Sequence, residues 1–576
     1  MKRLIVDFFR NFKESVVNKA QTTAHFTTQC KQSVQIKLIA PSSYVLRKFF
    51  KQFGNNSSIH GVRYFTNKTL HWSERLWWII GFVFTLWLCG LMIRDGWNYW
   101  NENPMTVKVG KRTQVSAIPF PAITICPLVK VLKHDLDRIN AHMYMKESSS
   151  IEATQLSTLA LFCPTLYRKY KSNVEFANES MYRMIEDLAP NQDYVIHSCR
   201  WQQNKVNCLE YISPVITDEG FCFTFNPLNS YDMYTEEVDA AMKRVTNIPK
   251  MSAWSLDNGY EVNSNGSEYP LRMFGSGQNN NLNMILSSDK QDNDFMCDSG
   301  QEGYIVMLDM PGESATRTQE RIRFIAPQSE SIKIRIEPKL TDTSNGLSNY
   351  KPAHRQCFYQ SERQLRFFKI YTKYNCNMEC IANFIQMECG CVKFNMPRDK
   401  NTKICGVKLR KCYGNAQFSF QGRTGRLFRA KCNCMEACTE IEYDLKIDQE
   451  PLFDENGGKG NYTRPQKTKL SIYFEDQTIE TLTRVETYTY TDFLAICGGL
   501  LGLFLGISFL SIIEIVYYAT LRVFWDIHLS RPETIEKSFN EKPFGENQMS
   551  ENRVLFKVVS QPLPSVAYIS QRTLHG

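Results

Sequence analysis

The sequence lacks the short motifs by which many enzymes are recognised. It has nine histidines but no His-Glu-x-x-His zinc motif, no Gly-x-Ser-x-Gly nucleophile motif and no phosphate-binding loop. It shows no zinc-finger or other nucleic-acid-binding signature, although its net charge is +9. These absences argue against a membrane-anchored enzyme, and we expect neither a cofactor nor a nucleic-acid partner.

Two stretches of the chain lack charge altogether. Leu76–Ile93 is an apolar run of 18 residues, and Phe493–Ile513 is a second run of 21. Helices of this length span the hydrocarbon core of a bilayer. The alternative is a buried helix in a soluble core. We expect transmembrane helices over 76–96 and 491–521.

The distribution of basic residues predicts the topology. Residues 1–75 carry 13 Lys and Arg against 3 Asp and Glu, whereas residues 522–576 are nearly balanced. The positive-inside rule places the basic segment in the cytoplasm, and two crossings return the C-terminus to the same side. Residues 97–490 are then extracellular, in a multi-pass protein of the plasma membrane.

The cysteines support this topology independently. Of 19 cysteines, the 16 between Cys126 and Cys438 all fall in the expected extracellular part. A dense, even set in an oxidising compartment predicts disulfides. The alternative, zinc sites around the cysteines of 376–391, suits a reducing compartment better, and we expect no structural metal. The same part holds three N-glycosylation sequons, which begin at Asn178, Asn265 and Asn461.

Hydrophobic patterning indicates a mixed α and β ectodomain. Residues 332–336 and 470–474 alternate apolar and polar side chains, which is typical of half-buried strands. Residues 255–300 are rich in Asn, Ser, Gly and Asp and predict a loop or a mobile insertion. The predicted fold class is an α+β membrane protein, with two transmembrane helices flanking a large, disulfide-rich, mixed α/β ectodomain.

The second apolar run carries small and polar residues on two different helix faces. Its small residues fall within about 60° of one another at 100° per residue, and they are Ala495, Gly499, Gly502 and Gly506. Small residues let helices approach closely in lipid. Ser508, Ser511 and Glu514 lie on other faces, so both sets can turn toward one axis only if the helix breaks near residues 506–508.

Glu514 is a candidate pore residue. Carboxylates inside a membrane are costly and are functional candidates by default, and one at a pore mouth concentrates cations. The alternative is a place at the inner headgroup level. Two spans cannot enclose a pore, so a channel requires several chains.

Four motifs together resemble the degenerin/epithelial sodium channel superfamily, and within it the insect pickpocket-type channels. The resemblance covers about residues 55–525. Its motifs are "SSIHGVRYF" before the first apolar run, "FPAITIC" after it, the cysteine-rich run 357–406, and "GLFLGISFLSIIE" in the second apolar run.

The resemblance implies a trimeric, sodium-selective, voltage-independent channel that amiloride typically blocks. Its ectodomain has palm, β-ball, finger, thumb and knuckle parts, with the thumb at 357–438. Na⁺ is the permeant ion, and the partners are related subunits in a homo- or hetero-trimer. The implied selectivity filter is Gly506, Ile507 and Ser508. The implied pore and gating residues are Ala495, Gly499, Gly502, Ser511, Glu514, His60 and Gly61.

The resemblance also implies disulfide pairs, which the sequence alone leaves undetermined. They are Cys126–Cys222, Cys199–Cys208, Cys357–Cys438, Cys376–Cys434, Cys380–Cys432, Cys389–Cys412 and Cys391–Cys405. Cys163 and Cys297 are left over.

Other membrane proteins are weighed against the conducting channel. A receptor on two anchors would not need a break or a carboxylate in the membrane. An ATP-gated two-helix channel lacks the His-Gly and Gly-x-Ser motifs. The sequence does not exclude a regulatory subunit that conducts only together with sister chains.

The sequence also departs from the family pattern. Several relatives have an acidic residue after the position of Ala495, where this chain has Ile496. No ligand is implied for residues 255–300, and the extracellular ligand and the stimulus are unknown.

Overall fold

The computed structural model describes most of the chain between residues 50 and 525. The described residues are 50–135, 137, 150–169, 173–202, 206–243, 247–252, 254–261, 268–292, 297, 302–315, 323–452, 466–522 and 524–525. They belong to two compact units, one of residues Met1–Arg94 with Leu494–Gly576 and the other of Asp95–Phe493. Two of the expected glycosylation sites, Asn265 and Asn461, and the predicted cytoplasmic segments 1–49 and 526–576 lie outside the described residues.

The described helices are distributed over both units. In chain order they are α1 Val62–Thr66, α2 Trp72–Glu102, α3 Ser150–Leu159, α4 Pro164–Lys169, α5 Ser180–Leu188, α6 Gln192–Val195, α7 Ser230–Met233, α8 Pro352–Arg355, α9 Lys373–Cys389, α10 Arg410–Gln421, α11 Arg426–Cys432, α12 Tyr490–Leu505 and α13 Phe509–Tyr517, followed by a π-helical turn at Tyr518–Arg522.

The described strands all lie in the Asp95–Phe493 unit. They are β1 Met105–Gln114, β2 Ala122–Pro127, β3 Phe176–Ala177, β4 Ile196–Trp201, β5 Val206–Asn207, β6 Ile212–Thr217, β7 Gly220–Phe225, β8 Trp254–Ser255, β9 Gly259–Tyr260, β10 Leu282–Ser288, β11 Tyr304–Asp309, β12 Arg323–Ala326, β13 Glu330–Thr343, β14 Cys357–Phe358, β15 Ile404–Cys405, β16 Glu436–Ala437, β17 Glu440–Pro451, β18 Gln466–Phe474 and β19 Thr478–Glu486.

Helix α2 is the longest helix of the described residues. Its 31 residues correspond to about 46 Å, against about 30 Å of hydrocarbon core. Its large side chains are mostly exposed, with Trp77 at 74%. Among the described residues it is the one helix that is long and apolar enough to cross a membrane alone. Helices α12 and α13 meet that test only when the bent pair is counted as one span.

A large mixed sheet organises the Asp95–Phe493 unit. Its strands follow the order β1-β19-β13-β18-β10-β4-β5, with β17 also paired to β13. The 14-residue β13 lies antiparallel to β17 on one side and parallel to β18 and then β19 on the other. The alternating isoleucines of β13 are fully buried, so the period-2 pattern marks the core face of this strand. In β18, residues 470–474 are buried on both faces.

The prediction of a loop across residues 255–300 is wrong for its most important part. Leu282, Met284 and Leu286 are fully buried on β10, which lies between β18 and β4 in the large sheet. Asn283, Ile285 and Ser287 occupy the alternate, less buried positions. The sequence carries no strand signal here, because Ile285 interrupts the apolar-polar alternation and the asparagine and serine are usual in loops.

A five-stranded sheet of order β12-β11-β2-β7-β6 and a group of helices complete this unit. Strand β2 is buried along its whole length, rather than on alternate residues. Helix α9 begins after Thr372, whose hydroxyl accepts a hydrogen bond of 3.0 Å from the Asn375 N–H. It packs with α10 and α11 around a second apolar core.

Eight disulfides cross-link the described residues. Seven are the pairs that the resemblance implies, and the eighth joins the two cysteines left over. The bonds are Cys126–Cys222, Cys163–Cys297, Cys199–Cys208, Cys357–Cys438, Cys376–Cys434, Cys380–Cys432, Cys389–Cys412 and Cys391–Cys405. Cys376 and Cys380 are one turn apart on α9, so one helix face is tied to the last residue of α11 and to the segment directly after it.

Candidate pore and gating site

The second apolar run is a broken helix. Helix α12 ends at Leu505, α13 begins at Phe509, and their axes differ by 73°. Gly506 has a φ of +65°, which places it in the left-handed region that glycine adopts without a steric cost. Its N–H donates to the carbonyl of Gly502 at 2.9 Å, as in the common left-handed helix ending. The change of direction therefore falls at the three residues of the expected filter.

Serines start the second half of the helix. The Ser508 hydroxyl accepts a hydrogen bond of 3.3 Å from the Ser511 N–H, and the Ser511 hydroxyl accepts one of 3.2 Å from the Ser508 N–H. This reciprocal capping box satisfies two backbone donors that a helix start would otherwise leave unpaired. The break is thus stabilised from both sides, by glycine at the end of α12 and by serine at the start of α13.

The His-Gly segment contacts this break directly. The N–H of His60 donates to the carbonyl of Leu505 at 3.0 Å. A β-carbon built on Gly506 would lie 2.0 Å from Nδ1 of His60, which is far inside van der Waals contact. Gly61 has a φ of +88° and directly precedes α1. The structure therefore brings together His60, Gly61 and Gly506, which are about 450 residues apart in sequence.

A serine that the sequence analysis did not single out joins this contact to Glu514. The N–H and hydroxyl of Ser58 donate to Oε2 of Glu514 at 3.2 and 3.0 Å. The Ser58 hydroxyl also lies 2.8 Å from that of Ser511, which is 1% exposed. Ser58 stands two residues before His60 within the quoted motif. Glu514 thus accepts two hydrogen bonds from the His-Gly segment, besides carrying charge.

The small-residue face of α12 is exposed in the single chain. Ala495, Gly499 and Gly502 are exposed. A β-carbon on Gly499 would meet no atom of the described residues within 4 Å. Surface of this kind in an apolar helix lets another helix approach closely. Of these three residues, Gly502 takes part in the contact around Gly506, through its carbonyl.

The ectodomain contains an acidic cavity. It has a volume of about 300 Å³, and Glu313, Glu436, Glu440 and Glu442 are among the residues that line it. Burial, the hydrogen bond to Glu436 and the charge of Glu436 raise the pKa of Glu440 to about 8. Burial opposes ionisation of Glu436, but hydrogen bonds from Glu440 and Lys373 outweigh it and lower its pKa. One proton is therefore held between the two carboxyl groups near neutral pH.

The acidic cavity makes stability depend on pH. Burial raises the pKa of Glu313 to about 7, from an ordinary value of 4.5. Between about pH 4.5 and 8 the folded protein holds protons on Glu313 and Glu440 that the unfolded chain has released, so stability falls as pH rises. We expect the midpoint temperature of thermal unfolding of the purified protein to fall as pH rises through this window. Glu440→Gln should reduce the slope of the midpoint temperature against pH. Glu388→Gln, on the exposed face of α9, is the matched control. An unchanged slope in Glu440→Gln contradicts the assignment.

The described residues hold no obvious metal centre. Among them, no group of three or more His, Cys, Asp or Glu side chains is placed to hold a metal ion. The expected glycosylation site at Asn178 is exposed.

The second apolar helix is broken at glycine and serine residues, and the carboxylate Glu514 lies in its second half. A helix broken in this way is typical of ion channels. The sequence model of the family described as "Amiloride-sensitive sodium channel" matches residues 53–518. The chain therefore belongs to this family, the degenerin/epithelial sodium channel superfamily. The members of the family are ion channels, not enzymes.

Individual relatives agree with this assignment. Pickpocket protein 28 of Drosophila melanogaster is 26% identical over 81% of this chain and 77% of its own length. Sodium channel protein Nach of Drosophila melanogaster is 22% identical over 84% of this chain and 89% of its own length. Epithelial sodium channel subunit alpha of Rattus norvegicus is 22% identical over 81% of this chain and 74% of its own length.

Proposed function

We propose that this chain is a subunit of a trimeric, voltage-independent sodium channel of the plasma membrane. Helix α2 and the bent pair α12–α13 each cross the bilayer once, and both termini are cytoplasmic. The ectodomain between them has palm, β-ball, finger, thumb and knuckle parts. It gates the pore in response to a sensory stimulus, and amiloride blocks the current.

The broken helix at Gly506–Ser508 is the observation that carries this proposal. Non-helical backbone at membrane depth is tolerated where it is buried in protein or lines a watery cavity. Three copies of the break, arranged around one axis, would present carbonyl and hydroxyl oxygens that replace part of the hydration shell of Na⁺. The exposed small-residue face at Ala495 and Gly499 supports close approach of neighbouring copies. Glu514 adds negative charge on the inner side of the filter.

Expression in oocytes tests conduction. We expect the chain, alone or with related subunits, to produce a sodium current that does not depend on voltage and that amiloride blocks. Voltage clamp with sodium replaced by a large organic cation measures it. If the protein reaches the surface and neither condition gives current, the conducting proposal fails, and the non-conducting regulatory subunit takes its place.

A bulky side chain at position 495 should open the channel. Ala495 is on the exposed small-residue face of α12, where a large side chain would separate neighbouring helices. We expect Ala495→Phe to raise the constitutive sodium current at least about fivefold, a shift of about 1 kcal/mol in the gating equilibrium. Leu503→Phe, at a position that is 80% exposed but outside this face, is the control. Equal effects of the two substitutions would refute the role of Ala495.

A further inference from the structure

A second cavity lies beside helix α10 in the Asp95–Phe493 unit. Its volume is about 480 Å³, which is within the range of ligand pockets. Helix α10 lines it together with the turn between β6 and β7, residues that follow α3, and parts of β11 and β12. We call it the α10 cavity.

The described lining of the α10 cavity carries more cations than carboxylates. Two carboxylates face it, and both are engaged by lining cations. Asp218 is paired with Lys393, and Glu219 lies 3.2 Å from Arg323 and 4.0 Å from Lys130. Arg410 is a further cation of the lining. The described side chains therefore leave a positive surplus.

Arg410 is the cation that is best placed for a ligand. Its guanidinium donates to the carbonyl of Ala160 at 2.5 Å and to that of Cys163 at 3.5 Å. It also stacks on the ring of Tyr167, 4.5 Å from the centroid. None of the described carboxylates forms an ion pair with it. Neutral partners fix its position without cancelling its charge, so its electrostatic attraction for an anion is retained.

Tyr413 adds a buried donor next to this cation. It lies three residues after Arg410, on the same face of α10, and lines the same cavity. Its side chain is 5% exposed, and its hydroxyl has no hydrogen-bond partner among the described residues. An unpaired buried hydroxyl is unfavourable. Burial raises the pKa of Tyr413 to about 12, so the hydroxyl keeps its proton and can donate it to an anion.

The lining also includes apolar side chains. Phe162, Ile305 and Ile325 line the cavity, as does Phe418, which has 79% of its surface exposed. A hydrated inorganic ion would gain nothing from these side chains, whereas an organic body would bury apolar surface against them. The lining therefore offers both a cation with a hydrogen-bond donor and apolar surface.

We propose that the α10 cavity binds a small organic carboxylate with an apolar body, held by Arg410 and Tyr413 at its charged end. The apolar body lies against Phe162 and Ile325. This inference rests on the proposed function in one respect, that the cavity faces the extracellular medium, from which the ligand enters.

Direct binding to the full-length protein in lipid nanodiscs tests the proposal. The probes are 4-phenylbutyrate, its uncharged isostere 4-phenylbutyramide, and inorganic phosphate, measured by equilibrium dialysis. We expect the carboxylate to bind at least about tenfold more tightly than the amide, since it alone carries a negative charge that pairs with the guanidinium of Arg410. We expect phosphate not to displace it at equal concentration.

Two variants and a control locate the binding site. Arg410→Gln should abolish selectivity for the carboxylate over the amide. Tyr413→Phe removes only a hydroxyl without a described partner, so the protein should fold normally and bind the carboxylate roughly tenfold more weakly. Lys411→Gln removes the same charge from an exposed position on α10 and should bind as the parent does.

Three results would overturn the proposal. They are equal binding of acid and amide, unchanged affinity in Tyr413→Phe, and full displacement by phosphate. Because binding is measured without current, its outcome is separate from that of the oocyte experiment. Intact carboxylate binding in a protein that never conducts would refute the proposed channel function and leave this site standing.

Discussion

Replacing Gly506 by alanine is expected to abolish the sodium current of this channel while the protein still reaches the cell surface. Alanine would have to adopt a φ of +65°, which costs roughly 1–2 kcal/mol for a residue with a β-carbon. That β-carbon would also lie 2.0 Å from Nδ1 of His60. The break or the His-Gly segment must therefore move. Sodium current divided by surface protein, measured in the same oocytes, gives the result.

A neighbouring glycine and a double substitution supply the controls for Gly506→Ala. Gly498→Ala adds the same methyl group to a helical position where nothing described lies within 4 Å, and it should conduct like the parent. The double substitution Gly506→Ala with His60→Gly removes the overlap but keeps the backbone strain, so it should recover part of the current. Full current in Gly506→Ala alone would show that the break is not a structural requirement of conduction.

The break itself was predictable because helix geometry is local. The faces of Gly506 and Ser508 follow from 100° per residue, so two sets of residues on different faces imply a change of direction. Ser58 was not predictable in this way. Its partner Glu514 is 456 residues away, and a serine before a His-Gly pair carries no periodic signal. The contact depends on tertiary structure that no local rule specifies.

In the ectodomain, too, features with a local sequence pattern were predictable and features formed by tertiary contacts were not. Apolar alternation predicted β13 and β18, but β10 was missed because Ile285 interrupts its alternation and its Asn and Ser residues are usual in loops. The α10 cavity could not be predicted from the sequence at all. Arg410, Tyr413 and Phe162 come from separate segments, and each residue alone is ordinary. Electrostatic surplus and an unpaired hydroxyl become visible only when the side chains converge in space.

Substitutions at Ser58 and Glu514 are expected to reduce current together rather than independently. Ser58→Ala removes one of the two hydrogen bonds to the carboxylate and the contact with Ser511, whereas Glu514→Ala removes both bonds and the charge. Hydrogen bonds to a charged group contribute about 1.5–3 kcal/mol, which corresponds to at least about a tenfold loss of open channels if they hold the His-Gly segment against the break.

The charge and the hydrogen bonds of Glu514 are separable by the choice of variants. Glu514→Gln keeps an oxygen that accepts from Ser58 but removes the charge, so we expect a smaller loss than in Glu514→Ala, expressed mainly as lower single-channel conductance. Ser58→Ala keeps the charge and should lower open probability with conductance unchanged. In the Ser58→Ala, Glu514→Ala double variant the loss should be close to that of Glu514→Ala, because the contact with Ser511 is then the one described bond of the Ser58 hydroxyl left to break. Currents that fall by the product of the two single effects would instead mean that Ser58 and Glu514 act at separate steps, and the hydrogen bonds between them would then have no role in gating.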